Sequence, residues 1–175
     1  MIPHSLPRIF RLALPIFLAV WSSGASAQPA RTVILVRHAE RAGGTSPDVG
    51  ISEAGRCRAE VLAGMLADAG VAQIFTSEVG RTQQTAAPLA KKLNLHPQVV
   101  QAKDVDGLVA KLRSGPAGGA FLVVGHSNTV PEVIERLGGG AVAPIGDSEY
   151  DRLFILTLNG PQATVVTLRY KGCAP

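Results

Sequence analysis

Residues 32–41, Thr-Val-Ile-Leu-Val-Arg-His-Ala-Glu-Arg (TVILVRHAER), decide how the rest of the chain is read. The β-branched and apolar run 32–36 stops abruptly at an arginine and a histidine, and two more charged side chains follow at Glu40 and Arg41. Four to eight apolar residues bounded by polar ones read as a buried strand, and in parallel α/β sheets the groups just past the carboxyl end of such a strand face the ligand crevice. Arg37 and His38 are therefore placed where chemistry is usually done. Residues 120–124 have the same form, an apolar run followed by Gly125, His126, Ser127 and Asn128. Two strands that each deliver a histidine at their ends predict one shared site.

The intervening segments alternate between strand and helix patterns. Residues 42–51 are rich in Gly, Ser, Pro and Asp and predict a loop beside the site. Ser52 reads as the N-cap of a helix on which Ala54, Cys57, Val61, Leu62, Met65, Leu66 and Ala69 recur at helical spacing until Gly70, with Met65 expected as core filler. Residues 71–76 predict a short strand, after which Arg81 opens a helix whose inner face is Thr85, Ala86, Leu89 and Leu93. A helix N-terminus carries unsatisfied N–H groups, so an arginine there reinforces an anion site.

Residues 96–101 predict an edge strand with His96 structural or exposed, because a proline costs little at a strand's start. Val105, Leu108, Val109 and Leu112 mark a helix ended by Gly115-Pro116, and Val130, Val133, Ile134 and Leu137 mark another stopped at Gly138-Gly139-Gly140. Residues 152–158 and 163–168, joined through Asn159-Gly160-Pro161, predict a closing hairpin.

A chain of 175 residues that is 46% hydrophobic and 17% charged suits one globular domain with a sizeable core. Residues 1–27 read as a secretory signal, with Arg8 and Arg11 before ten apolar residues, 12–21, and Ala25-Ser26-Ala27 as the cleavage site. The remaining 28–175 form the expected domain, periplasmic or secreted. Ten apolar residues containing Pro15 fall short of the roughly 20 that span a bilayer, so no stable membrane anchor is expected. Removing Arg8 and Arg11 from the 17 basic residues leaves 15 against 13 acidic, a net +2, too weak a basic bias for a nucleic-acid binder. In an oxidising compartment Cys57 and Cys173 either pair or remain two separate thiols; their proximity is not legible from sequence.

Three motifs, RHAE at 37–40, TSEVGRTQQTA at 76–86 and VVGHSN at 123–128, resemble in order and spacing the histidine phosphatases, the superfamily that includes cofactor-dependent phosphoglycerate mutase. The resemblance runs from about residue 32 to about residue 168. It implies a phosphoglycerate mutase-like three-layer α/β/α fold with a mostly parallel central sheet and a C-terminal hairpin. It also implies hydrolysis of a small phosphorylated substrate through phosphate carried on His38, with no metal or other cofactor. Arg37 and Arg81 would supply planar forks of donors to phosphate, His126 a donor to the transferring group, and Ser127 and Asn128 further contacts. Arg41 stands where the acid-phosphatase and phytase branch has a second phosphate-binding arginine, and Ala39 replaces that family's usual glycine.

The acid that protonates the leaving alcohol is expected at Asp48, since small members resembling phosphohistidine phosphatases place an acid in that loop. Glu40, Asp104 and the Glu149-Tyr150-Asp151 segment are the alternatives. A mutase and a phosphate-binding module without turnover are the competing functions.

Overall fold

Side-chain alternation along strand β1 (Arg31–Arg37) sets the layering: Val33 and Leu35 join one buried cluster, Ile34 and Val36 another on the opposite face. A strand buried on both faces must be covered by helices on both sides. The computed structural model describes residues 30–45, 48–116 and 118–173; the leader expected at 1–27 lies outside them. β1 is followed by α1 (Glu53–Leu66), β2 (Val71–Thr76), α2 (Gly80–Leu93), β3 (Gln98–Val99), α3 (Val105–Ser114), β4 (Ala120–Gly125) and α4 (Thr129–Ile134). The hairpin β5 (Arg152–Asn159) and β6 (Gln162–Arg169) ends the order.

The strands form one sheet in the order β3-β2-β4-β1-β5-β6, with β1 to β4 parallel and the hairpin antiparallel. Helices α1 and α2 bury Leu62, Ala63, Leu66, Ala86 and Leu89 against Ile34 and Val36. Helices α3 and α4 bury Val105, Leu112, Val130, Val133 and Ile134 against Val33 and Leu35. The three-layer α/β/α architecture expected from the motifs is the one observed.

Two local expectations change. Met65 is 48% exposed rather than core filler, because the buried line of α1 runs through Gly55, Ala59, Leu62, Ala63 and Leu66. Small residues on one helix face and larger apolar ones spread around it shift the apparent phase of the stripe. The expected edge strand at 96–101 shrinks to Gln98–Val99, paired in parallel with Phe75 and Thr76 at the sheet margin, and His96 is exposed. The N-cap assignment holds: the Ser52 hydroxyl accepts from Gly55 N–H at 3.1 Å.

Register brings the site together. Arg37 is paired with Gly125 and Thr76 with Val124, so the carboxyl ends of β2, β4 and β1 lie side by side and deliver Ser77, His126 and His38. A Cβ at Gly125 would come within 2.9 Å of Thr129 Oγ1, so the close turn from β4 into α4 needs glycine there. Farther off, Cys57 on α1 is joined to Cys173 with Cα atoms 5.8 Å apart, which decides for the bridge between the two outcomes open in the sequence.

Candidate active site

His38 is 4% exposed, and its Nδ1 lies 2.8 Å from Ala39 O. A carbonyl only accepts, so Nδ1 carries the proton and the neutral ring keeps its lone pair on Nε2. The His38 pKa is lowered to about 4, chiefly because burial disfavours the imidazolium; Arg81, Arg37 and His126 push the same way, and the bond to Ala39 O opposes them. The group is thus an unprotonated imidazole at neutral pH. Its turn is held at three points. His38 N–H donates to Gly125 O at 2.9 Å, Ala39 N–H to Thr85 Oγ1 at 2.9 Å, and Glu40 pairs with Arg58 of α1 at 2.7 Å.

Arg37 is spent on one edge only. Its Nη1 donates to the carbonyls of Gly146, Asp147 and Glu149 at 2.6, 3.0 and 3.1 Å, and the guanidinium lies 4.4 Å from the centre of the Tyr150 ring. Its Nε is buried without a hydrogen-bond partner. Because Nε–H and one Nη2–H point the same way, that edge is a two-pronged donor of the kind that fits a tetrahedral oxyanion.

An open pocket of about 340 Å³ is lined by Arg37, His38, Arg41, Val79, Arg81, Ala102, His126, Ser127 and Asn128. Seven of the eight site residues expected from sequence are gathered here; Asp48 is not among the lining residues. Arg41 is on the exposed rim, bridged to Ile51 through the backbone. Arg81, second residue of α2, lowers the pKa of both histidines by its charge. The two imidazole rings are 5.5 Å apart, edge to face.

His126 Nε2 is 2.9 Å from Ser77 Oγ, which in turn is 3.0 Å from Thr82 Oγ1. Burial and the charge of Arg81 lower the His126 pKa, while Glu78 works against them. Ser77, Thr82, Thr85 and Tyr150 are parts of the site to which sequence reading gave no such contacts. The TSEVGRTQQTA stretch carries three of them, and strand register supplies the reason: β2 ends beside β4.

The carboxylates are engaged elsewhere. Asp48 Oδ1 accepts from Gly80 N–H at 3.0 Å, making it a side-chain cap on α2 rather than a group poised over the pocket. Glu40 is held by Arg58, and Asp104 caps α3 through Gly107 N–H at 3.0 Å. Asp151 pairs with Arg169. Glu149 is pulled down to about 2 by Gly146 N–H, then Arg169 and Arg152. Among the described residues no three His, Cys, Asp or Glu side chains are grouped as metal ligands.

The sequence profile of the histidine phosphatase superfamily (branch 1) matches residues 33–104. The protein histidine phosphatase SixA, solved with tungstate, superposes with a TM-score of 0.66 at 21% identity, covering 79% of this chain and 96% of that one. A mycobacterial glucosyl-3-phosphoglycerate phosphatase, Rv2419c, gives 0.57 at 14% identity over 82% of this chain and all of that one, 100%. A segment of 73 residues is 41% identical to the PE-PGRS family protein PE_PGRS11 of Mycobacterium tuberculosis; it is 37% of this chain and only 12% of that relative's length. The matched motifs and the fold coincide in one molecule: residues 33–104 are similar to the histidine phosphatase superfamily (branch 1), and the whole described fold is that of the solved phosphatases.

Proposed function

We propose that the chain is an exported phosphomonoester hydrolase that passes the phosphoryl group of a small substrate through His38. The observation that carries this reading is the tautomer of His38: Nδ1–H is tied to Ala39 O, and Nε2 keeps a lone pair in a pocket walled by arginines. The phosphate binds to the free edge of Arg37, to Arg81 and to the turn at Ser127 and Asn128, with Arg41 at the rim. His38 Nε2 attacks phosphorus, the P–O bond to the leaving group breaks, and His126 donates to the oxygens that gain charge. Water then attacks the phosphohistidine, the P–N bond breaks, and the pair returns to Nε2.

Because Asp48, Glu40, Asp104, Glu149 and Asp151 each have another partner, protonation of the leaving group is the weak part of the machinery. Substrates whose leaving group departs with little help, such as aryl or acyl phosphates and phosphoramidates, are favoured over simple alkyl esters. Two named relatives in fold, SixA with its bound tungstate and the glucosyl-3-phosphoglycerate phosphatase, support a tetrahedral oxyanion in this pocket. The Cys57–Cys173 bridge supports an oxidising compartment and hence export.

Quenching turnover of a labelled aryl phosphate at alkaline pH preserves phosphoramidates. Label on His38, and none in His38→Ala, is the expected result; label on any other residue, or turnover by His38→Ala, refutes the mechanism.

A further inference from the structure

Hydrogen-bond polarity around His126 is fixed by a short chain of hydroxyls. Thr82 Oγ1 is 2.8 Å from Val79 O and 3.2 Å from Ser77 O, and both are carbonyls that only accept. The one Thr82 hydroxyl proton therefore goes to a carbonyl, and Thr82 Oγ1 is left to accept from Ser77 Oγ–H at 3.0 Å. Ser77 has then used its proton, so at 2.9 Å it accepts from His126 Nε2–H. The reverse polarity would set the Thr82 oxygen 2.8 Å from the Val79 carbonyl with no proton between them. Ser77 and Thr82 are 5% and 0% exposed, and Val79 N–H donates to Ser77 Oγ at 3.2 Å, consistent with an oxygen that accepts twice and donates once.

We infer that Ser77 and Thr82 are positioning residues that hold His126 with its proton on Nε2, so that the ring exchanges protons with the bound phosphate through Nδ1 alone. Resting on the phosphatase reading given above, this gives His126 one job at each nitrogen. Nε2 anchors the ring to β2 and α2, and Nδ1 gains a proton when the dianion arrives and donates it to a phosphate oxygen. Four groups face the ring: Arg37 and His38 from the end of β1, Arg81 from α2 and Glu78 from the turn after β2. The hydroxyl chain acts at Nε2, and the surrounding charges act on the ease of adding the second proton.

The test is the nitrogen-15 spectrum of His126 in the full-length protein above neutral pH, together with kinetics on an aryl phosphate. The wild type should show protonated Nε2 and bare Nδ1. Thr82→Val, close in shape, should mix the tautomers and lower kcat roughly fivefold, the worth of one hydrogen bond, and Thr82→Ser should restore both readings. Ser77→Ala should do the same as Thr82→Val; if it fails to fold, the wild-type spectrum and the Thr82 pair still decide. A wild-type ring protonated on Nδ1, or an unchanged tautomer in Thr82→Val, overturns the assignment. A correct tautomer in a protein that hydrolyses nothing would instead leave the relay standing and refute the phosphatase reading.

Discussion

Ala39 N–H donates to Thr85 Oγ1 at 2.9 Å, and the same hydroxyl donates to Arg81 O at 2.8 Å. One side chain therefore clamps the turn that carries His38 to the helix that carries Arg81. Thr85→Val keeps the shape and removes both bonds, leaving a buried N–H without a partner. We expect a stability loss of about 1–3 kcal/mol in urea unfolding and a larger proportional fall in kcat/KM than in kcat. A variant equal to wild type in both would show that the clamp is idle.

The pH profile follows from the two histidines. In the proposed mechanism His38 must be neutral to attack, and its pKa is lowered to about 4, so the acid limb of kcat/KM should fall there. In the same mechanism His126 must take up a second proton to donate, and its pKa lies below the usual 6.5, so activity is expected to fall as pH rises through the acidic range. Activity should peak on the acid side of neutrality, checked by kcat/KM from pH 3 upward with an aryl phosphate.

Stability should fall on acidification as in the common carboxylate case, but from a different cause. The folded pKa of His38 is below its unfolded value, so between about 4 and 6.5 the unfolded chain binds more protons than the folded one. The contribution is fully present above 6.5 and is lost as pH falls toward 4. His38→Asn should flatten this part of a stability-versus-pH curve measured by chemical denaturation.

Asp48 separates capping from acid catalysis. Asparagine retains an acceptor for Gly80 N–H, so Asp48→Asn is expected to turn over aryl and alkyl phosphates nearly as wild type does, whereas Asp48→Ala should cost about 1 kcal/mol of stability. A loss in Asp48→Asn confined to alkyl phosphates would instead make Asp48 the acid.

Reduction of Cys57–Cys173 frees a loop of 116 residues and in the chain-entropy view costs about 5 kcal/mol. Unfolding midpoints with and without reductant should differ accordingly; identical midpoints would mean that the bridge does not constrain the unfolded chain.

The layering, the mostly parallel sheet and the residues Arg37, His38 and His126 were legible because hydrophobic runs and their polar stops are local signals; Arg41, Arg81, Ser127 and Asn128 came through the motif resemblance, and the strand order was not legible. Asp48 was legible as a carboxylate in the right loop but not as a cap, since its partner Gly80 is set by how two loops meet. Tyr150 could be named but not placed: its stacking on Arg37 depends on the 146–149 carbonyls reaching Arg37 across more than a hundred residues of chain. The hydroxyl chain of Ser77 and Thr82 was invisible for the same reason, because donors and acceptors acquire direction only in three dimensions.

Strand order also constrains how this protein can be taken apart. The span 33–104 that carries the family signature holds β2, β3 and nearly all of β1, but β1 and β2 do not touch; β4, from outside that span, lies between them. A fragment cut at its borders would have a gap in the middle of its sheet and would lack His126. The recognisable span of this sequence is therefore not expected to fold alone, and splitting the protein at its end should yield two pieces that regain structure only when mixed.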